Sequence, residues 1–204
     1  MRNVICFALC LCLALLCGCG AVNAPEAPMV QHAQQTASPS AAAPSASADE
    51  PLTFVSGSVA SPVYTNAFSG IRITLPAEWT YADASELEAL SEYDAQGLPL
   101  SVTELIAQND ATGDNITVMY EATDAPADAY AQAIAEELLL DEVFHFTAHE
   151  PETLLLCEKE YLNLRMGIED VHREQLYLLR REGNMIIVII LTGQQPDDLL
   201  AMFS

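Results

Sequence analysis

The chain has 204 residues, 51% of them hydrophobic, with 29 acidic and 7 basic side chains and a formal net charge of -22. That length holds one ordinary domain plus appendages, and the hydrophobic fraction is too rich for a wholly disordered protein. The charge excludes nucleic acid as a partner: displacing counterions from a polyanion takes clustered Lys and Arg, whereas Arg72, Lys159, Arg165, Arg173, Arg180 and Arg181 are scattered among carboxylates.

The first twenty residues, MRNVICFALCLCLALLCGCG, open with Arg2 and continue through an apolar run from Val4 to Leu16. A positive start, a short apolar stretch and then a small residue predict a secretory signal peptide, and the run is short for a spanning helix, which needs about 20 apolar residues. Five of the six cysteines lie in this leader and only Cys157 lies beyond it, so no disulfide framework is available to the domain. Cys157, in the apolar run LLLC, is expected to be an inert buried side chain.

Leu16-Cys17-Gly18-Cys19 resembles the bacterial lipobox, with an aliphatic residue three before, a small residue just before, and the cysteine that receives the lipid. Cys19 fits this pattern. Cys17 fits it less well, because the bulky Leu16 would stand just before the cleavage point. The resemblance implies residues 1–18 as signal peptide and Cys19 as a lipidated N-terminus on the outer face of the bacterial cytoplasmic membrane. Ordinary secretion and an uncleaved anchor are the competing readings. A multi-chain lipid holds more firmly than a single acyl chain.

Residues 19–55 are rich in Ala, Pro, Ser and Gln and carry no apolar periodicity. Pro25, Pro28, Pro39 and Pro44 interrupt each window long enough to nucleate a helix, which predicts a disordered, partly extended tether. Residues 56–204 are expected to form the globular domain.

In that domain, Ile71, Ile73 and Leu75 alternate with Arg72 and Thr74, which predicts a strand entered from the turn Asn66–Gly70 and stopped by Pro76. Asp83 and Glu86 have capping-box spacing at the start of a short helix. Two alternating runs flank NDATGDN, a hairpin signature, and Pro126 opens a helix with Tyr130, Ile134 and Leu138 on one stripe. FHFTAH, TLLLC, YLNLRM, HREQLYLLRRE and NMIIVIILTG read as strands, the last two as a hairpin. Met185–Leu191 is apolar on both faces and belongs in the middle of a covered sheet; Pro196 starts a final short helix. These elements predict an α+β domain, a largely antiparallel β-sheet with helices packed on it.

The runs FSGIRITLPAEW, ELIAQNDATGDNITVMYE and QLYLLRREGNMIIVIILT together resemble small lipoproteins of Gram-positive gut bacteria, whose domains are similar in pattern to the PsbP-like α/β/α sandwich. The similarity covers about residues 63–203. It implies that fold and a role as a binding or assembly factor. It places no functional residue.

Several constellations invite chemistry. His145 and His149, four apart and followed by Glu150 and Glu152, would share a helix face, but the V-F-H-F-T alternation favours a strand, where four residues span roughly 13 Å and two imidazoles cannot share one zinc. Asp110, Asp114 and Asn115 offer oxygen donors without the EF-hand order, so the hairpin is expected instead. His172 has no recognisable nucleophile partner, and Trp79 is expected to fill the core. No cofactor is implied. The expected function is a lipid-anchored binding or assembly module whose partners are the membrane, through its anchor, and a protein with a basic or polar surface. A hydrolase assembled from His145, His172 and nearby carboxylates is the alternative, and a divalent-cation buffer is a third reading.

Overall fold

A computed structural model describes residues 54–204. The signal peptide, Cys19 and the tether up to residue 53 lie outside the described residues. The domain is built on one long antiparallel sheet in the order β4-β6-β7-β12-β11-β10-β8, with β5 added along β6 and β9 along β10. Its strands are β4 (Trp79–Tyr81), β5 (Glu92–Tyr93), β6 (Pro99–Asn109), β7 (Asp114–Ala122), β8 (Phe146–Ala148), β9 (Glu152–Leu156), β10 (Lys159–Ile168), β11 (Arg173–Glu182) and β12 (Met185–Gly193). A second sheet of β1 (Ser58–Ala60), β2 (Val63–Asn66) and β3 (Ile71–Thr74) stands apart from it.

The sheet is covered on both faces, which gives the domain three layers. On one face the second sheet supplies Tyr64, Ile71 and Ile73, and the 3-10 helix Pro196–Met202 supplies Leu199, all packed with Leu105, Val118, Tyr120, Ile187 and Ile189 of the long sheet. On the other face helix α2 (Ala127–Leu138) buries Tyr130, Ala131, Ile134 and Leu138 against Leu164, Met166, Leu179, Ile186 and Val188. The i, i+4, i+8 spacing of Tyr130, Ile134 and Leu138 puts one stripe of the helix on the sheet, and each such buried side chain contributes roughly 1.5–3 kcal/mol.

β12 lies between β7 and β11, with Val188 opposite Met119 on one side and Leu179 on the other. All its residues are buried, as an unbroken apolar run requires. The α+β class, the antiparallel sheet and the elements expected from periodicity are all present. Asp83 caps α1 (Ala84–Ala89), accepting from Ser85 N and Glu86 N while the Glu86 carboxylate reaches back to the Asp83 N–H. Trp79 fills the core at 7% exposure.

The final short helix expected at Pro196 is present as a 3-10 helix, with the Phe203 N–H returning to Leu200 O at 3.2 Å. One expectation needs correction. Cys157 is half-buried in the turn between β9 and β10, with φ of +49°, because TLLLC is an edge strand with Leu155 exposed and not an enclosed one.

Candidate functional site

Each residue that the sequence offers for chemistry has a definite place. The β6–β7 loop is shaped by Asn109, whose Oδ1 accepts from Ala111 N at 3.0 Å and Thr112 N at 3.3 Å, and by Gly113 at φ +72°. Arg173, at the start of β11, spends its guanidinium on this loop: it donates to Gly113 O at 3.0 Å, to Asp114 Oδ1 at 3.3 Å and to Thr112 O. Of the candidate oxygen donors, Asp114 is thus held by Arg173, while Asp110 Oδ1 accepts from Gln108 Nε2 at 2.8 Å. Asn115 is not with them; its side chain is buried in the sheet.

His145 and His149 flank the three-residue strand β8. The His145 ring nitrogen Nδ1 lies 3.0 Å from both Asp170 oxygens, and its backbone N–H donates to Asp170 Oδ2 at 2.7 Å. The Asp170 carboxyl is held below the usual carboxylate range, first by that backbone N–H and then by the ring. His149 is exposed at the other end of the strand, and Glu152 accepts from Asn163 Nδ2 at 3.1 Å. His172 sits in the left-handed region at φ +51° and closes the 3-10 turn Glu169–Val171. These groups are dispersed. Among the described residues no three His, Cys, Asp or Glu side chains are grouped to hold a metal ion, and no helix is long and apolar enough to cross a membrane.

His145 and Asp170 form the pairing that a hydrolytic base and its orienting carboxylate would adopt. Among the described residues, the hydrogen-bond partner of the His145 ring is Asp170 and no Ser, Thr or Cys hydroxyl or thiol. Cys157, the one thiol among the described residues, has its pKa pushed up by burial, which outweighs the lowering by a backbone hydrogen bond and by the nearby Arg180.

Sequence reasoning missed a carboxylate with three partners, Glu104. It sits at a register break in β6, between Thr103 and Leu105, where one extra residue turns its side chain toward the second sheet. The carboxylate accepts from Gly57 N at 2.9 Å, Tyr64 OH at 2.6 Å and Asn66 Nδ2 at 2.8 Å. The network continues from Tyr64 OH to Tyr120 OH at 3.3 Å, from Tyr120 OH to Ser69 Oγ at 2.8 Å, and from Ser69 O to Arg180 Nη2 at 2.6 Å. Burial pushes both tyrosine hydroxyls above their ordinary range. The apolar doublet Leu105-Ile106, which breaks the alternation of β6, is the sequence signal that could have found the bulge.

Three surface depressions stand near these groups. A pocket of about 410 Å³ between β4, α1 and β6 has Ala82, Ala89, Leu90 and Ile106 among its walls. A shallower one, about 230 Å³, includes Gly57, Ser91 and Glu104. The third, about 530 Å³, lies where the β6–β7 loop meets the exit of β12 and is lined by Thr112, Asp114, Gln194, Gln195 and Asp198, polar groups suited to a cationic or hydrogen-bonding ligand.

No family model matches the chain, and no curated protein matches it. Among solved structures, the chain is similar to the solution structure of cyanobacterial PsbP (CyanoP) from Synechocystis sp., at 13% identity over 76% of this chain and 99% of that one, with a TM-score of 0.46.

Proposed function

We propose that this protein is a binding or assembly module, tethered through Cys19 to the outer face of the cytoplasmic membrane, that engages a protein partner with a basic or polar surface. The observation that supports it most is how the cations are used. Arg165 is bonded to Glu174 and Asp197, Arg173 to Asp114 and two carbonyls, Arg180 to Glu182 and Ser69 O, and Arg181 to Asp124 and the Ala125 carbonyl. With these arginines engaged, the outward field is set by the surplus carboxylates, which steer cationic partners in and anionic ones away.

The test is cross-linking on intact membranes followed by mass spectrometry, with the captured partner then titrated against the purified protein. A defined partner whose affinity falls steeply with added salt supports the reading. Turnover of a peptide, ester or glycan panel, lost in both His145→Ala and Asp170→Ala, overturns it in favour of the hydrolase.

A further inference from the structure

Directly after α2 the chain leaves three aliphatic side chains in solvent: Leu139 at 52%, Leu140 at 80% and Val143 at 74% exposure. A single exposed leucine carries no message. Three within five residues do, when the backbone that bears them is held in shape. Here it is held at both ends. The Leu139, Leu140 and Asp141 N–H groups donate to Ala135 O, Glu137 O and Leu138 O at 3.0, 3.2 and 3.0 Å, so the helix end continues into the loop. Asp141 Oδ1 then accepts from Val143 N and Phe144 N, both at 2.8 Å. Phe144 packs against the helix-side core. Beyond it, His145 N donates to Asp170 Oδ2 at 2.7 Å and His145 O accepts from Glu169 N at 3.0 Å, fastening the loop to the 3-10 turn that carries the exposed Val171. A surface already fixed in its outward shape loses little conformational entropy on binding.

Acidic side chains predominate around it, and Arg173, two residues after Val171, directs its guanidinium to the β6–β7 loop. Glu136, Glu142, Glu169 and Asp170 are exposed beside these aliphatic residues, and no Lys or Arg occurs between Arg72 and Lys159. The loop leads into β8, at one edge of the long sheet, while Gly57 is bound to Glu104 on β6 near the other. Five strand spacings separate β6 from β8, roughly 24 Å. The patch thus lies toward the opposite edge of the long sheet from the Gly57–Glu104 contact.

We infer that residues 139–145 with Val171 form a docking surface for a protein segment that is apolar at its centre and carries Lys or Arg around it, such as a basic amphipathic helix. The inference rests on the binding-module reading and supplies the place and chemistry of contact. An anionic lipid surface fits poorly, since the carboxylates around the leucines repel it, and a second copy of this chain would bring like charges together.

The experiment is a titration of the isotope-labelled full chain, followed by amide NMR, with three probes: a synthetic Leu/Lys amphipathic peptide, a Leu/Glu peptide of the same pattern, and phosphatidylglycerol vesicles. The expected result is Leu/Lys-induced shifts confined to residues 139–146 and 169–172, weakened about tenfold in the Leu140→Ser/Val143→Ser variant and by added salt. Both substitutions fall on exposed side chains, so the rest of the variant's spectrum should match the wild type and verify its fold. Vesicle binding in place of the peptide, equal binding of the Leu/Glu peptide, or self-association through this loop overturns the inference. So do shifts confined to another surface, which leave the binding-module reading standing. A complete lack of response removes this surface as well, and cross-linking on membranes then judges the broader reading separately.

Discussion

The Tyr64 hydroxyl donates to the Glu104 carboxylate at 2.6 Å across 40 positions of sequence, and that bond joins the small sheet to the long one. Its neighbours share the same task. Gly57 N and Asn66 Nδ2 reach the same carboxylate, and the rings of Phe54, Phe68 and Tyr120 meet beside it with centroids 5.0 to 6.1 Å apart. The clasp sits at the entry of the described chain.

Replacing Glu104 with Ala removes the acceptor shared by the Gly57 N–H, the Tyr64 hydroxyl and the Asn66 amide, of which Tyr64 keeps Tyr120 OH and Asn66 keeps Val55 O. Each lost hydrogen bond costs roughly 1–3 kcal/mol, so a loss of about 2–4 kcal/mol is expected, with Glu104→Gln less damaging because its amide oxygen still accepts. Chemical denaturation measures it. An unchanged midpoint in Glu104→Ala would show that the small sheet is held by apolar packing alone.

Sequence revealed most of the long sheet because its strands announce themselves by local pattern. Met185–Leu191 reads as a covered strand, and NDATGDN as a tight connection between two runs of period two. Short strands carry too few residues to show a period: β1 and β4 have three each. The clasp was illegible for another reason. Glu104 is read as one more polar position of an alternating strand until the bulge shifts the phase, and its partners lie 38 to 47 positions away. His145 and Asp170, likewise, meet only because β8 pairs with β10 and brings the 3-10 turn after β10 beside the loop.

Val188 has 2% exposure, on a central strand and under α2. Val188→Asp buries a charge with no partner and is expected to cost several kcal/mol, on the order of 3–5, enough to unfold a domain of ordinary stability. Val188→Ile adds one methylene to a packed core and is expected to cost about 1–3 kcal/mol without burying a charge. Circular dichroism melts compare the two. A near-normal melting temperature for the aspartate variant would be incompatible with a buried β12.

Gly18 stands directly before Cys19 and Leu16 at the favoured offset, whereas the residue before Cys17 is the bulky Leu16. Cys19→Ala is expected to release the protein from membranes or leave it unprocessed, and Cys17→Ala to leave it attached. Fractionation with mass spectrometry of the mature N-terminus reads both, and the opposite pattern would move the lipid to Cys17.

Glu121 gives the domain a pH dependence of definite sign. It is 4% exposed on β7, facing α2, where Tyr130 OH donates to it. Burial raises its pKa above the ordinary 4.5, the Tyr130 hydrogen bond opposes that rise, and the charge of Glu92 adds to it. A carboxyl with a raised folded-state pKa binds its proton more tightly folded than unfolded. Its favourable contribution is therefore complete below the unfolded value and is lost as pH rises through the folded value. Glu121→Gln keeps an acceptor for Tyr130 and abolishes the ionisation. The variant should thus match or trail the wild type near pH 4 and gain on it steadily toward pH 7, by an amount that urea denaturation at each pH can read. A stability difference independent of pH would mean that Glu121 titrates as an ordinary exposed carboxylate, and that the sheet face under α2 admits water.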